Sequence, residues 1–302
     1  MNILALDLGG SSLKRALVDE KATIKNKRIV LNNCNSYEDV LDLFDEAVTN
    51  ELDDVEGIAI SMPGKIDISN GTAISAGAYT PFLAGRQIRK VIEERYERPV
   101  IVENDGKCAA IAESWKGSLQ GKRNAIVYII GTGLGGGLII NGGLYRGSHH
   151  SAGEISVTSI DLKDDYSREK AVASMLGIRG LIRLYRENNG GDGVNDGISF
   201  FDHIKEKDEA AVRSLDRFCE LHASYIFDLQ AILDVESVAI GGGISQQESL
   251  IKKIREVTIE LFRKRGSVSV TCPDIIRCHY LSDANLVGAT KMFLDHYGRE
   301  RN

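Results

Sequence analysis

The chain has 302 residues, 43% apolar and 26% charged, with only 4 prolines. That is the composition of a globular protein rather than a disordered one, long enough for two domains or one large one. The formal net charge of −6 gives no support to a nucleic-acid surface, which would want clustered Lys and Arg.

The opening MNILALDLGG has neither a basic stretch nor a long apolar core, and no later run approaches the ~20 apolar residues that cross a bilayer. No membrane segment and a cytoplasmic location are expected. The five cysteines, at 34, 108, 219, 272 and 278, contain no CxxC pair, so reduced thiols are expected in place of a disulfide framework or a zinc ribbon.

Residues 2–8 read as a buried strand, 9–12 as a turn, 13–18 as a second strand and 27–31 as a third, more polar one. Apolar residues at 40, 41, 43, 44, 47 and 48 form a helix face over 37–48, with Ser36 as its N-cap. A strand at 57–60 ends in Ser61-Met62-Pro63-Gly64, and a helix follows at 87–96. Val100-Ile101-Val102 then runs through Glu103-Asn104-Asp105-Gly106 straight into helix-forming sequence up to Trp115. A strand feeding a helix across so short a turn puts polar side chains at the carboxyl end of a sheet, where open α/β sheets bind their ligands. Asp105 there suits a base that takes a proton from a substrate hydroxyl. By itself the same stretch also reads as a helix cap made by Asn104 or Asp105.

The order then begins again. A strand at 125–130 breaks at the glycine-rich run 131–137, and 138–140 returns as a strand before a hairpin turn at 141–143. Helices are expected at 169–187 and 210–233, a strand at 236–240 entering Gly241-Gly242-Gly243, and a helix at 250–262. Strands at 267–271 and 275–280 and a helix at 285–297 close the chain, and 188–197 reads as a loop. Two glycine-broken hairpins about 120 residues apart, each leading three strands, suggest a duplicated topology.

Three turns have the chemistry of phosphate or nucleotide sites. In the first, Gly9 and Gly10 let backbone N–H groups approach a phosphate, Ser11 and Ser12 donate hydroxyls and Lys14 adds a cation. Asp7 just before it suits a hydrated Mg²⁺. The second, Gly131-Thr132-Gly133-Leu134-Gly135-Gly136, satisfies GxGxxG, but a strand follows where a dinucleotide fold needs a helix. A P-loop also fails, since Gly117 to Arg123 is one residue short and ends in Arg. The third, Gly241-Gly242-Gly243, has room for a base or ribose against the backbone. Glu154 follows the second hairpin and suits orientation of a polyol through two acceptor oxygens. His149 and His150 lie nearby without further ligands in the sequence and read as exposed loop residues.

Taken in order, these pieces resemble the ROK family (repressors, open reading frames and kinases) of the actin-like, ribonuclease H-like ATPase superfamily. DLGGSSLK at 7–14 is similar to its DxGGTxxK loop, SMPGKID at 61–67 to S-x-P-G-x-ID, and VENDGKCAAIAE at 102–113 to VENDANAAALAE. GTGLGGGLIINGGLYRG at 131–147 is similar to GTGxGGGxxxxGxLxxG, and AGEI at 152–155 and AIGGGIS at 239–245 complete the series. The resemblance implies an α/β protein with the duplicated actin-like fold, its two lobes flanking a cleft: 1–115 completed by 285–302, and 116–284. It implies an ATP-dependent sugar kinase, with ATP and Mg²⁺ as cofactors and a homodimer as the assembly. Asp105 would be the catalytic base, and Gly64, Asn104, Asp105, Glu154 and Glu169 would hold the sugar. Asp7 would position Mg²⁺ through water. Gly9, Gly10, Ser11, Ser12, Lys14, Gly131, Thr132 and Gly133 would surround the phosphates, with Gly242 and Gly243 at the adenosine.

Two departures bear on substrate. Val157 stands where the family's GExGH motif has a zinc-ligating, sugar-touching histidine, and the cysteine cluster that follows is missing, so no structural zinc is expected. Glu169 has an alternative register that puts Lys170 in its place. Losing the histidine removes a partner for a free 1-OH and leaves room for a glycoside. This pattern, with the segment Gly71–Ala78, resembles the beta-glucoside kinase branch. 6-phosphorylation of a glucoside is therefore expected, with glucokinase, fructokinase and N-acetylmannosamine kinase as alternatives. A sugar-sensing regulator is the alternative of another class; the phosphate loop at Asp7 leaves no room ahead of it for a helix-turn-helix domain, which speaks against that reading.

Overall fold

A computed structural model describes the chain except for residues 49–51, 53, 78, 160–170, 190–193, 267–268 and 299–302. The chain forms two compact units. One is Met1–Gln120 with Leu144–Ala152 and Asp283–Asn302; the other is Gly121–Gly143 with Gly153–Ser282. The segment Leu144–Ala152, which the sequence-based division put in the second lobe, packs in the first unit.

The first unit opens with β1 (Asn2–Leu8), β2 (Ser12–Asp19) and β3 (Ile24–Leu31), joined antiparallel. Helix α1 (Tyr37–Val48) follows. Its cap is reciprocal: the Ser36 hydroxyl accepts from Asp39 N–H at 3.1 Å, and the Asp39 carboxylate accepts from Ser36 N–H at 3.0 Å. Next come β4 (Ile58–Met62), a short hairpin of β5 (Ile66–Asp67) and β6 (Thr72–Ala73), α2 (Ile88–Tyr96), β7 (Val100–Asn104) and α3 (Asp105–Trp115). The sheet order is β3-β2-β1-β4-β7, with β1, β4 and β7 parallel. β3 is an exposed edge carrying Lys25, Lys27 and Arg28, charges that discourage edge pairing.

The second unit contains β8 (Ala125–Ile130), β9 (Leu134–Ile140), the first residue of β10 (Gly143–Tyr145), whose other two residues belong to the first unit, α4 (Val172–Leu176), α5 (Ile178–Asn189), α6 (Gly197–Lys205), α7 (Glu209–Leu233), β11 (Ser237–Gly241), α8 (Glu248–Lys264) and β12 (Asp274–Arg277). Its sheet order, β10-β9-β8-β11-β12, repeats that of the first unit strand for strand: an antiparallel meander, then two parallel additions. This is the duplicated α/β topology expected of an actin-like ATPase.

The chain closes in the first unit as α9 (Ala284–Tyr297). β1, β4 and β7 sort their side chains by period two. Leu4, Leu6, Ile58, Ile60, Val100 and Val102 join α1 and α2 in one core, while Ile3, Ala59 and Ile101 pack with Cys108 of α3 and Ala289 and Phe293 of α9. Among the described residues no helix is long and apolar enough to cross a membrane.

Four expectations are corrected. β9 starts at Leu134 rather than 138, so Gly135, Gly136 and Gly137 are strand residues paired with β8 and the turn shrinks to Gly131–Gly133. The glycine run is still needed, because a Cβ on Gly136 would stand 2.9 Å from Ile155 Cδ1. The helix expected at 169–187 is broken at Gly177, where a Cβ would lie 2.4 Å from Thr132 O. The strand expected at 267–271 has no regular structure over its described residues 269–271. Helix α6 went unread, although Asp196 caps it by accepting from Ser199 N–H at 2.8 Å.

Candidate active site

In the first unit three parallel strands end in register, Asp7 beside Ser61 and Ser61 beside Glu103. Neighbouring strands lie about 4.8 Å apart, so Asp7, the Ser61–Gly64 turn and the Asn104-Asp105 turn share one sheet end. Asp7 is buried, and both of its oxygens are engaged. Lys14 Nζ is 3.0 Å from Oδ2, while the Ser61 hydroxyl and the Asn285 amide donate to Oδ1 at 3.1 and 2.9 Å. The turn Gly9–Ser12 is closed by Gly9 N–H donating to Ser12 O at 2.9 Å. Asn32 braces it, donating from Nδ2 to Gly9 O at 2.7 Å and from its backbone N–H to Ser11 O at 3.0 Å. Asn32 and Asn285 carried no motif signal of their own; each reaches the site only through the fold.

Asn104 caps α3, its Oδ1 accepting from Lys107 N–H at 3.1 Å. Its Nδ2 donates to Gly64 O at 2.9 Å and to Asp105 Oδ1 at 3.0 Å, and Gly106 N–H donates to the same oxygen at 2.8 Å. One side chain thus caps the helix and ties it to the Gly64 turn. Asp105, the first residue of α3, sits where the positive end of the helix favours an anion. Gly64 adopts φ +104°, and a Cβ there would lie 2.2 Å from Ser75 O, so this turn admits only glycine without strain.

In the second unit the turns Gly131–Gly133 and Gly241–Gly243 stand side by side, because β8 and β11 are parallel with Ile129 opposite Gly241. Gly131 O accepts from Ile178 N–H at 2.9 Å, which ties the turn to the start of α5. Gly242, at φ +91°, would put a Cβ 2.2 Å from Ile130 O. Gly243 differs: a Cβ there would meet nothing within 4 Å, and at Gly131 only Gly133 O at 3.9 Å. The packing of the chain does not demand glycine at those two positions.

Glu154 precedes a single 3₁₀ turn, Ile155–Val157, in which Val157 is 76% exposed. Ile155 O is held by the Thr158 hydroxyl at 2.8 Å and the Tyr225 hydroxyl at 3.1 Å, themselves 2.6 Å apart. Below Tyr225, the Tyr128 hydroxyl lies 2.8 Å from His222 Nδ1. Burial pushes the His222 imidazole down to about 3. His149 is exposed, and His150 Nε2 stands 3.9 Å from Asp67. Among the described residues no group of three or more His, Cys, Asp or Glu is placed to hold a metal ion. Glu169 and Lys170 lie outside the described residues.

The chain is 29% identical over 267 residues to the N-acetyl-D-glucosamine kinase of Photobacterium profundum, covering 82% of this chain and 86% of that one. It is 28% identical over 305 residues to the beta-glucoside kinase of Listeria monocytogenes, covering 99% of each. A ROK family protein from Streptococcus pneumoniae, solved in complex with sucrose, superposes with a TM-score of 0.86 at 25% identity, over 99% of this chain and 100% of the other. The profile of the ROK family matches residues 3–296, and the chain belongs to that family.

Proposed function

We propose that the chain transfers the γ-phosphoryl group of ATP to a hydroxyl of a hexose or hexoside, with a β-glucoside phosphorylated at O6 as the favoured acceptor. The class, a carbohydrate kinase, agrees with the kinases it resembles and with its family. The observation that carries the mechanism is the Asn104 side chain, which binds Gly64 O and Asp105 Oδ1 at once and so fixes a carboxylate beside a turn of open polar backbone. Phosphoryl transfer asks mainly for positioning and charge neutralisation.

In this reading Asp105 takes the proton of the attacking hydroxyl, while Asn104, Gly64 and Glu154 hold the ring hydroxyls. Gly9 to Ser12, Lys14 and Gly131 to Gly133 surround the phosphates, and Gly242 and Gly243 lie against the adenosine. Asp7 fits an outer-sphere role toward Mg²⁺, because one carboxylate already engaged by three donors has little capacity for direct ligation. Such an ion would keep its waters and be held mostly by the phosphates, whose charge it would neutralise.

The preference for a glucoside rests on Val157, an exposed apolar side chain where the family carries a histidine. It also agrees with the sucrose bound by the pneumococcal protein and with full-length similarity to a beta-glucoside kinase. N-acetyl-D-glucosamine is the second reading, favoured by the Photobacterium relative. A coupled assay with ATP over cellobiose, aryl glucosides, glucose, N-acetylglucosamine and N-acetylmannosamine separates them; turnover of the free sugars far above that of every glucoside overturns the acceptor assignment. Asp105→Asn should lower kcat by about 10²–10⁴-fold, and unchanged turnover in that variant would remove Asp105 from the role of base.

A further inference from the structure

We propose that Glu103 and Arg146 form a positioning pair that sets the Asn104-Asp105 turn for chemistry, an inference that rests on the reading of Asp105 as the base. Glu103 is 1% exposed, at the penultimate position of β7, just ahead of the Asn104-Asp105 turn. Its Oε1 accepts the Asn104 backbone N–H at 2.8 Å, and its Oε2 receives Arg146 Nε at 3.0 Å and Nη2 at 2.8 Å. The same Nη2 lies 3.1 Å from Met292 Sδ on α9, so the guanidinium is held from two sides. A buried carboxylate is tolerable only when it is paired and hydrogen-bonded. Arg146 meets that need, and the carboxylate it holds grips the first peptide N–H of the turn.

The local charge shows why this pair bears on activity as well as on folding. The Cys108 thiol, four residues into α3 from Asn104, is pushed up by burial and then by the negative charges of Glu103, Asp7 and Asp105. Three carboxylates thus crowd one sheet end, where the reading above also brings a polyphosphate. Lys14 offsets Asp7 and Arg146 offsets Glu103. Without Arg146, Glu103 is left as a buried carboxylate without its cation, and a side chain that turns away from that position releases the Asn104 N–H. A displacement of about 1 Å at a reacting group costs on the order of 10²-fold in rate.

The test is steady-state kinetics on Arg146→Met, Arg146→Lys and the double variant Glu103→Gln/Arg146→Met, each with a thermal melt. We expect Arg146→Met to lose at least about tenfold in kcat while KM for ATP stays within about twofold. Arg146→Lys should keep most of kcat because the charge stays. The double variant should regain part of the loss, because the uncompensated carboxylate is gone; it also provides the measurement if Arg146→Met does not fold. A kcat within about twofold of the parent in Arg146→Met, or a loss in every variant that only follows the folded fraction, overturns the pair's role. Asp105→Asn, run alongside, keeps the two proposals apart: full activity there refutes the base, whereas an inactive Asp105→Asn beside a fully active Arg146→Met refutes only the positioning pair.

Discussion

Mild acid should loosen the second unit through one residue, His222. Its imidazole is 0% exposed, bonded at Nδ1 to the Tyr128 hydroxyl, with no partner for Nε2 among the described residues. Burial lowers it from 6.5 to about 3. Below pH 6.5 the unfolded chain binds a proton that the folded one refuses, so stability falls as pH drops from 6.5 toward 3 and levels off below that. At about 1.36 kcal/mol per unit this is roughly 2 kcal/mol at pH 5 and about 5 kcal/mol once both states are protonated, against a usual total of about 5–15 kcal/mol. His222→Gln removes the titration and keeps an acceptor for the Tyr128 hydroxyl. Urea unfolding at pH 7, 6 and 5 should show the parent losing about 2 kcal/mol more than the variant. Parallel curves would refute the assignment of a neutral, desolvated imidazole. The consequence for function is local: Tyr128 lies beside Tyr225, whose hydroxyl holds the turn that carries Glu154.

Three further variants separate structural roles from ligand binding. Asn104→Ala should cost about 0.5–2 kcal/mol in a thermal or urea melt through loss of the cap. It should also raise KM for the sugar by more than KM for ATP, because the bond to Gly64 O goes with it; equal changes in both constants would leave Asn104 as a cap alone. Gly242→Ala should lower stability by about 1–3 kcal/mol from backbone strain and weaken nucleotide binding, read by calorimetry with a non-hydrolysable ATP analogue, since φ +91° and the 2.2 Å approach to Ile130 O leave no place for a methyl group. Gly243→Ala, whose Cβ meets nothing, should leave the melt unchanged and weaken nucleotide binding alone.

Most of the first unit was legible because its signals are local. The Ser36 cap, the apolar strands and the Asn104 cap each act within a few residues, and all three stand where they were read. Two of the misreadings share a cause, which is contact from a distant part of the chain. Helical periodicity continues through Gly177, yet the backbone breaks there, with Thr132 O standing where a Cβ would need room. Gly135 to Gly137 have poor strand propensity, but β8 supplies the ladder and Ile155 needs the space above Gly136.

The sequence alone determined the strand-end turns, their order and the identity of the capping and acidic residues, because turn chemistry and amphipathic period are properties of short segments. The partners of those residues were decided by tertiary structure alone. Asn285 reaches Asp7 across 278 positions and Arg146 reaches Glu103 across 43, distances over which no local pattern carries information. A hydrogen bond between such residues exists only after three parallel strands and α9 have come together at one sheet end.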